Sequence, residues 1–143
     1  MHVTLVNDTR QDRNPGCQAT VSSLVCLLEE SLQTTVRTLP LGTGYDHFLR
    51  VPAGAAAEAA WRLAVDDLER DLAVRDAFKD ASRIVVNLEG TFHHHTVGAL
   101  ALGGLIAVAH RQGLPVWAVN GTVEGVEPWL LKATLDFNAA LQG

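Results

Sequence analysis

This sequence is short of positive charge, of cysteine and of long apolar runs, and each shortage removes a class of function. Lys and Arg number 11 against 16 Asp and Glu, leaving a net charge of −5. No stripe of basic residues forms, so the concentrated charge that non-specific nucleic-acid binding needs is missing. Anionic membrane surfaces are disfavoured on the same ground. The most apolar segment, Val97 to Ala109, falls short of the ~20 residues that a bilayer-spanning helix requires. The start, Met1-His2-Val3-Thr4-Leu5-Val6, has no basic region and turns polar at Asn7, unlike a signal peptide. A cytoplasmic protein without a membrane span is expected.

Cysteine is limited to Cys17 and Cys26, both on one expected helix. At ~1.5 Å rise per residue their Cα atoms lie roughly 13 Å apart, whereas a disulfide tolerates no more than about 7 Å. Both are therefore thiols. Cys26 stands among Leu24, Val25, Leu27 and Leu28, which predicts a buried core position. The chain also lacks internal repeats, low-complexity tracts and linkers. Its 143 residues, 48% of them apolar, suit one globular domain spanning 1–143 with a sizeable core.

Four short apolar runs read as strands: Val3 to Val6, Val36 to Leu39, Arg83 to Asn87 and Val116 to Val119. Between them lie segments of helical period. A first helix opens at Gly16 or Cys17 and runs to about Leu32, with Val21, Leu24, Val25, Leu28 and Leu32 on one stripe. Gly42 to Gly54 reads as an irregular loop, and about Ala55 to Asp80 as one long amphipathic helix with Asp66, Asp67, Glu69 and Arg70 on its solvated face. The segment from Val97 to about Gln112 is apolar nearly all round, so it should be buried on more than one side, and Gly113 and Pro115 stop it. Gly103-Gly104 would admit another backbone closely, inside the domain or across a dimer interface. Pro128 to Leu141 is a last helix. Strands alternating with helices imply an α/β fold: a Rossmann-like three-layer α/β/α domain with a mostly parallel sheet of four to five strands.

Three strands end in polar residues: Asn7-Asp8-Thr9, Asn87-Leu88-Glu89-Gly90-Thr91 and Asn120-Gly121-Thr122. Parallel strands would place all three tips on one rim, where open α/β sheets bind ligands. Asparagine also caps turns and tolerates unusual backbone angles, so each could serve the fold alone; three together favour a binding site. Gly16-Cys17 and Gly90-Thr91 each precede a helix and offer amides and dipole to an anion. Cys17 at such a position could have a lowered pKa, but without an evident His or Asp partner it is not proposed as a nucleophile. Glu89 is the best general-base candidate.

His93-His94-His95 invites a metal, yet adjacent side chains diverge, and at most His93 and His95 with Glu89 could share an ion. No metal-ligand spacing, dinucleotide fingerprint or Walker lysine is present, so neither metal nor cofactor is expected. One or two of these imidazoles are expected to act as proton donor or anion partner, and His2, His47 and His110 to lie at the surface or sheet edge.

The opening Val3 to Thr9, the helix start Gly16-Cys17 and the run Asn87-Leu88-Glu89-Gly90-Thr91-Phe92-His93-His94 resemble the N-terminal half of polysaccharide pyruvyl transferase family proteins. Pro115 to Asn120 is similar to that family's fourth strand, and Leu88 stands where the family has glycine. The resemblance implies a glycosyltransferase-B-like enzyme moving a pyruvyl group from phosphoenolpyruvate onto a sugar in bacterial surface-glycan biosynthesis. Glu89 would be the base and His93 or His94 the proton donor or phosphate contact. Asn7, Asp8, Gly16, Cys17, Asn87, Gly90, Thr91 and Asn120 would bind substrate or anion. A domain incomplete by itself is implied, completed by a C-terminal domain on another chain or paired as a homodimer. The alternative is a sugar- or anion-binding dimeric domain that has lost the chemistry.

Overall fold

In the computed structural model, which describes residues 1–141 apart from Asp12, Thr91 and Thr122 and side chains as far as Thr134, the four apolar runs form one sheet. The elements in chain order are β1 (His2–Val6), α1 (Pro15–Leu32), β2 (Thr35–Leu39), α2 (Gly42–Phe48), α3 (Ala57–Arg70), α4 (Leu72–Phe78), β3 (Ala81–Asn87), α5 (Val97–Arg111), β4 (Val116–Val119) and α6 (Pro128–Leu141). Strand order is β2-β1-β3-β4 and every pairing is parallel. The architecture is therefore the expected Rossmann-like α/β fold, with four strands among the described residues. No helix of the described residues is long and apolar enough to cross a membrane.

The two faces of the sheet are covered unequally. On one, Val21, Val25 and Leu28 of α1 pack on Val3, Leu5 and Val85. The other carries α2 to α6 and a much larger core that includes Trp61, Leu68, Ile84, Val86 and most of α5. That α5 is buried continuously from Gly98 to His110 explains its apolar circumference. The glycine pair lets its neighbours approach. A Cβ on Gly103 would sit 2.8 Å from Leu130 Cδ1 of α6, and one on Gly104 2.4 Å from Phe48 Cζ of α2. The close approach is thus within the chain, and α5 offers no face to a second copy. Trp61 completes the enclosure, donating from Nε1 to the Leu100 carbonyl at 3.0 Å and meeting Trp129 of α6 edge-on at 5.6 Å.

Several local expectations are corrected. The stretch read as an irregular loop contains α2, whose Gly44 and Phe48 are buried against α5 and α3; two glycines at Gly42 and Gly44 hide a helix that tertiary packing supplies. The single long helix is two helices, α3 and α4, divided at Asp71. Asp71 takes an extended conformation and caps α4, accepting from the Ala73 amide at 2.9 Å. Its other oxygen meets His47 Nε2 of α2 at 2.9 Å. Cys26 is exposed rather than core, because the stripe through Val21, Val25 and Leu28 turns it outward; both cysteines are free of disulfides. His2 and His110 are buried, not at the surface. His2 Nε2 lies 3.1 Å from both Thr4 Oγ1 and the Ala77 carbonyl. Burial pushes the His110 pKa below its ordinary value.

Two tests follow from this packing. Gly104→Ala thrusts a methyl at the buried Phe48 ring and should lower stability by about 1–3 kcal/mol in urea unfolding. Gly103→Ala would bring its methyl 2.8 Å from Cδ1 of the buried Leu130 and 3.3 Å from Thr134 Cγ2, and helix propensity, which favours Ala by ~1 kcal/mol, offsets part of that clash, so its loss should be the smaller of the two; the reverse ranking contradicts the packing. The second test concerns Asp71, whose pKa is lowered by the His47 hydrogen bond, with burial opposing and the α4 amides assisting. A depressed carboxyl pKa contributes stability above the unfolded value of 3.8, which is lost as pH falls through the folded value. Asp71→Asn should therefore be less stable at neutral pH and show a shallower loss below pH 3.8, measured by unfolding across a pH series.

Candidate functional site

The ends of β1, β3 and β4 meet on one rim and are knitted together by their asparagines. Asn7 Nδ2 donates to the Asn87 carbonyl at 2.7 Å, and Asn87 Nδ2 returns a bond to the Asn7 carbonyl at 3.2 Å. Asn120 Nδ2 donates to Asn87 Oδ1 at 3.1 Å, and the Glu89 amide reaches the same oxygen at 3.4 Å. Asn7 and Asn120 hold left-handed backbone angles, φ 66 and 59, a conformation asparagine tolerates better than most residues. The Asn7 amide donates to the Leu39 carbonyl of β2 at 3.0 Å, so the network reaches all four strands. Expected to bind substrate or anion, Asn7 and Asn87 are buried and direct these hydrogen bonds into the fold.

β1 leads to the helix on one face while β3 leads to α5 on the other. The chain thus diverges between β1 and β3, the switch point where α/β sheets of this order open a crevice. Beside it, towards α2 and α5, lies a cleft of about 190 Å³ lined by Tyr45, Gly90, His93, Thr96 and Gly98. Thr96 is the N-cap of α5, its hydroxyl accepting from the Ala99 amide at 3.1 Å, which leaves the Gly98 end of the first turn facing the cleft. Gly90 adopts φ 59, so a side chain there is strained although the space beside it is open.

The three histidines separate. His93 lines the cleft, anchored by an isolated parallel bridge to Glu124. The exposed His94 turns away with φ 50, and its ring lies over Gly125, where a Cβ would stand 2.4 Å from Nδ1. The two rings are edge to face at 5.5 Å. His95 is half-buried, with Nδ1 shielded from solvent. Among the described residues no three His, Cys, Asp or Glu side chains gather closely enough to hold a metal ion.

The remaining expected residues are spread around this centre. Glu89, which precedes the cleft-lining Gly90, is half-buried with Oε2 shielded from solvent, and it is not among the described lining residues. Asp8 is bonded to Arg10 through Nε at 3.0 Å and Nη2 at 2.8 Å. Burial raises the Asp8 pKa, and the Arg10 hydrogen bonds and charge outweigh it, so the net shift is downward. The Gly16 amide donates to Asn14 Oδ1 at 2.9 Å, the N-cap of α1, so this amide is taken by the chain's own side chain. Cys17 is half-buried, its carbonyl accepting from Thr9 Oγ1 at 3.4 Å. Thr91 and Thr122 lie outside the described residues. Sequence reasoning missed Tyr45, Thr96 and Gly98. A threonine directly before an apolar helix is an N-cap signal that finds Thr96, whereas Tyr45 arrives only through the packing of α2.

No protein-family model, curated protein or solved structure matches this chain.

If the asparagines hold the rim, Asn87→Ala should be costly. It removes one donor and an acceptor shared by Asn120 and Glu89 inside a fully buried position, for about 2–4 kcal/mol in denaturant unfolding. A loss under ~0.5 kcal/mol, the level of an ordinary surface change, contradicts the role.

Proposed function

We propose that this chain is the Rossmann-like half of a transferase resembling polysaccharide pyruvyl transferases, acting in the cytoplasm on a phosphorylated or carboxylated donor and a glycan. The observation that carries the reading is the cleft of about 190 Å³ at the strand-end rim, where His93 and the first turn of α5 converge. An imidazole and a helix N-terminus together favour an anion. His93 holds the anionic group or delivers a proton to a leaving oxygen. Glu89, which precedes the cleft-lining Gly90, takes the proton from the acceptor hydroxyl. His94 packs on Gly125 and supports the loop. The separation of Glu89 from the cleft lining fits a reaction centre completed by a second domain on another chain.

A second reading is a binding domain without chemistry. It is favoured by the asparagine network, in which side chains suited to sugar hydroxyls are engaged within the fold, and any dimer it forms uses a surface other than α5.

Calorimetric titration with inorganic phosphate, phosphoenolpyruvate and nucleotide sugars distinguishes the two. The transferase reading expects saturable binding that His93→Ala and Glu89→Gln each weaken roughly tenfold, about 1.4 kcal/mol. Sensitivity to His93→Ala alone supports binding without chemistry. Binding unaffected by either change places the ligand elsewhere and removes both readings of the cleft.

A further inference from the structure

Tyr45 is the largest side chain lining the rim cleft, and it differs from the other large aromatic residues described. Trp61 and Trp129 meet edge-on, Trp117 is covered by Arg83, and Phe48 is buried against α5. Among the described residues Tyr45 has no such partner: no other ring packs on it and its hydroxyl makes no hydrogen bond. The ring is 36% exposed, yet it is firmly placed. It stands on α2, whose Phe48 fills the notch at Gly104 and whose His47 meets Asp71 of α4 at 2.9 Å. A ring on an element pinned in this way meets a ligand with little ordering cost.

The rest of the cleft limits what that ring can meet. Gly90 and Gly98 offer backbone rather than side chain. Thr96 is committed to the fold, its hydroxyl donating to the His93 carbonyl at 3.2 Å and accepting from the Ala99 amide at 3.1 Å. Among the described residues no Lys or Arg lines the cleft, so a ligand with several phosphate charges would leave them unmatched. The volume of about 190 Å³ is near the ~150 Å³ that holds a benzene ring and below the ~300 Å³ at which sites for drug-sized ligands begin. One six-membered ring with a single acidic group satisfies both limits. The electron-rich face of a tyrosine ring suits the C–H groups on one face of a pyranose, and its phenol can bond a sugar hydroxyl.

We propose that Tyr45 is the specificity-determining residue of the cleft, stacking on the ring of a monosaccharide that carries one acidic group, a phosphate or a carboxylate. The inference rests on the reading of the cleft as an anion site and names what the anion is attached to. His93 and the first turn of α5 hold the acidic group, and Tyr45 selects the ring.

The probes are the 6-phosphates of glucose, mannose and galactose, and glucuronate, each compared with its bare acid, inorganic phosphate or acetate. Tyr45 is the chain's one tyrosine, so ring labelling gives a single NMR signal from the cleft. At least one sugar should bind tenfold more tightly than its bare acid and shift that signal saturably; the phosphate and carboxylate arms decide which acid is preferred. Tyr45→Leu keeps the bulk without the ring and should abolish the tenfold advantage while changing bare-acid affinity less than twofold. Tyr45→Phe should keep the advantage to within about threefold. The proposal is overturned if no sugar exceeds its bare acid, or if Tyr45→Leu weakens sugar and bare acid alike or neither. It is also overturned if phenyl phosphate binds more tightly than every sugar, since the partner ring is then aromatic. Failure of the underlying anion reading looks different: phosphate and acetate do not bind, or bind His93→Ala equally well, and the proposal falls with it.

Discussion

The fold is organised by the demand that α5 be covered on every side. A helix with almost no polar face cannot rest against a sheet alone, because its outer half would remain in water. α2, α3 and α6 supply that cover, and each pays attention to a different stretch: Phe48 reaches Gly104, Trp61 bonds the Leu100 carbonyl, and Leu130 reaches Gly103. The same helix begins at the strand-end rim, capped by Thr96. Its burial therefore fixes where its first turn points. The candidate site inherits its rigidity from the core, while its polar groups come from the short connection between β3 and α5.

The asparagines show how structure and function divide the same rim. A residue that ends a strand in a left-handed conformation and carries an amide side chain can bind a sugar or close the sheet. Here Asn7 and Asn87 exchange bonds with each other's carbonyls, joining the two strands at the switch point. The crevice is consequently bounded below by a rigid polar floor. His93, Gly98 and Tyr45 beside that floor line the cleft to which the proposed function assigns a ligand.

Much of this was legible in the residues, and the boundary of legibility has physical causes. The strands and α5 were visible because hydrophobic runs and full apolar circumference survive any tertiary context. The stripe of α1 was visible by period, and the same period would have shown Cys26 one residue off that stripe. The segment containing α2 was obscure because Gly42 and Gly44 oppose helix formation locally, and burial against α5 overrides them. The break at Asp71 depends on a cap and on His47, a residue distant in sequence. His2 resembled an edge residue until the Ala77 carbonyl of α4 came within hydrogen-bond distance. At the site, the rim and the histidine run were evident from the polar strand ends, whereas the separation of three adjacent imidazoles required the position of Gly125.

The unequal cover of the sheet has a dynamic consequence. Among the described residues only α1 shields Val3, Leu5 and Val85, and beyond it Arg83 stacks on the half-exposed Trp117 ring at 3.9 Å in place of another helix. Detaching α1 breaks a small apolar cluster and leaves the larger core on the far side intact. Such an asymmetric layer is expected to open as a separate cooperative unit at lower free energy than global unfolding, with the backbone amides of α1 exchanging through a form in which the β1–β3 pairing persists.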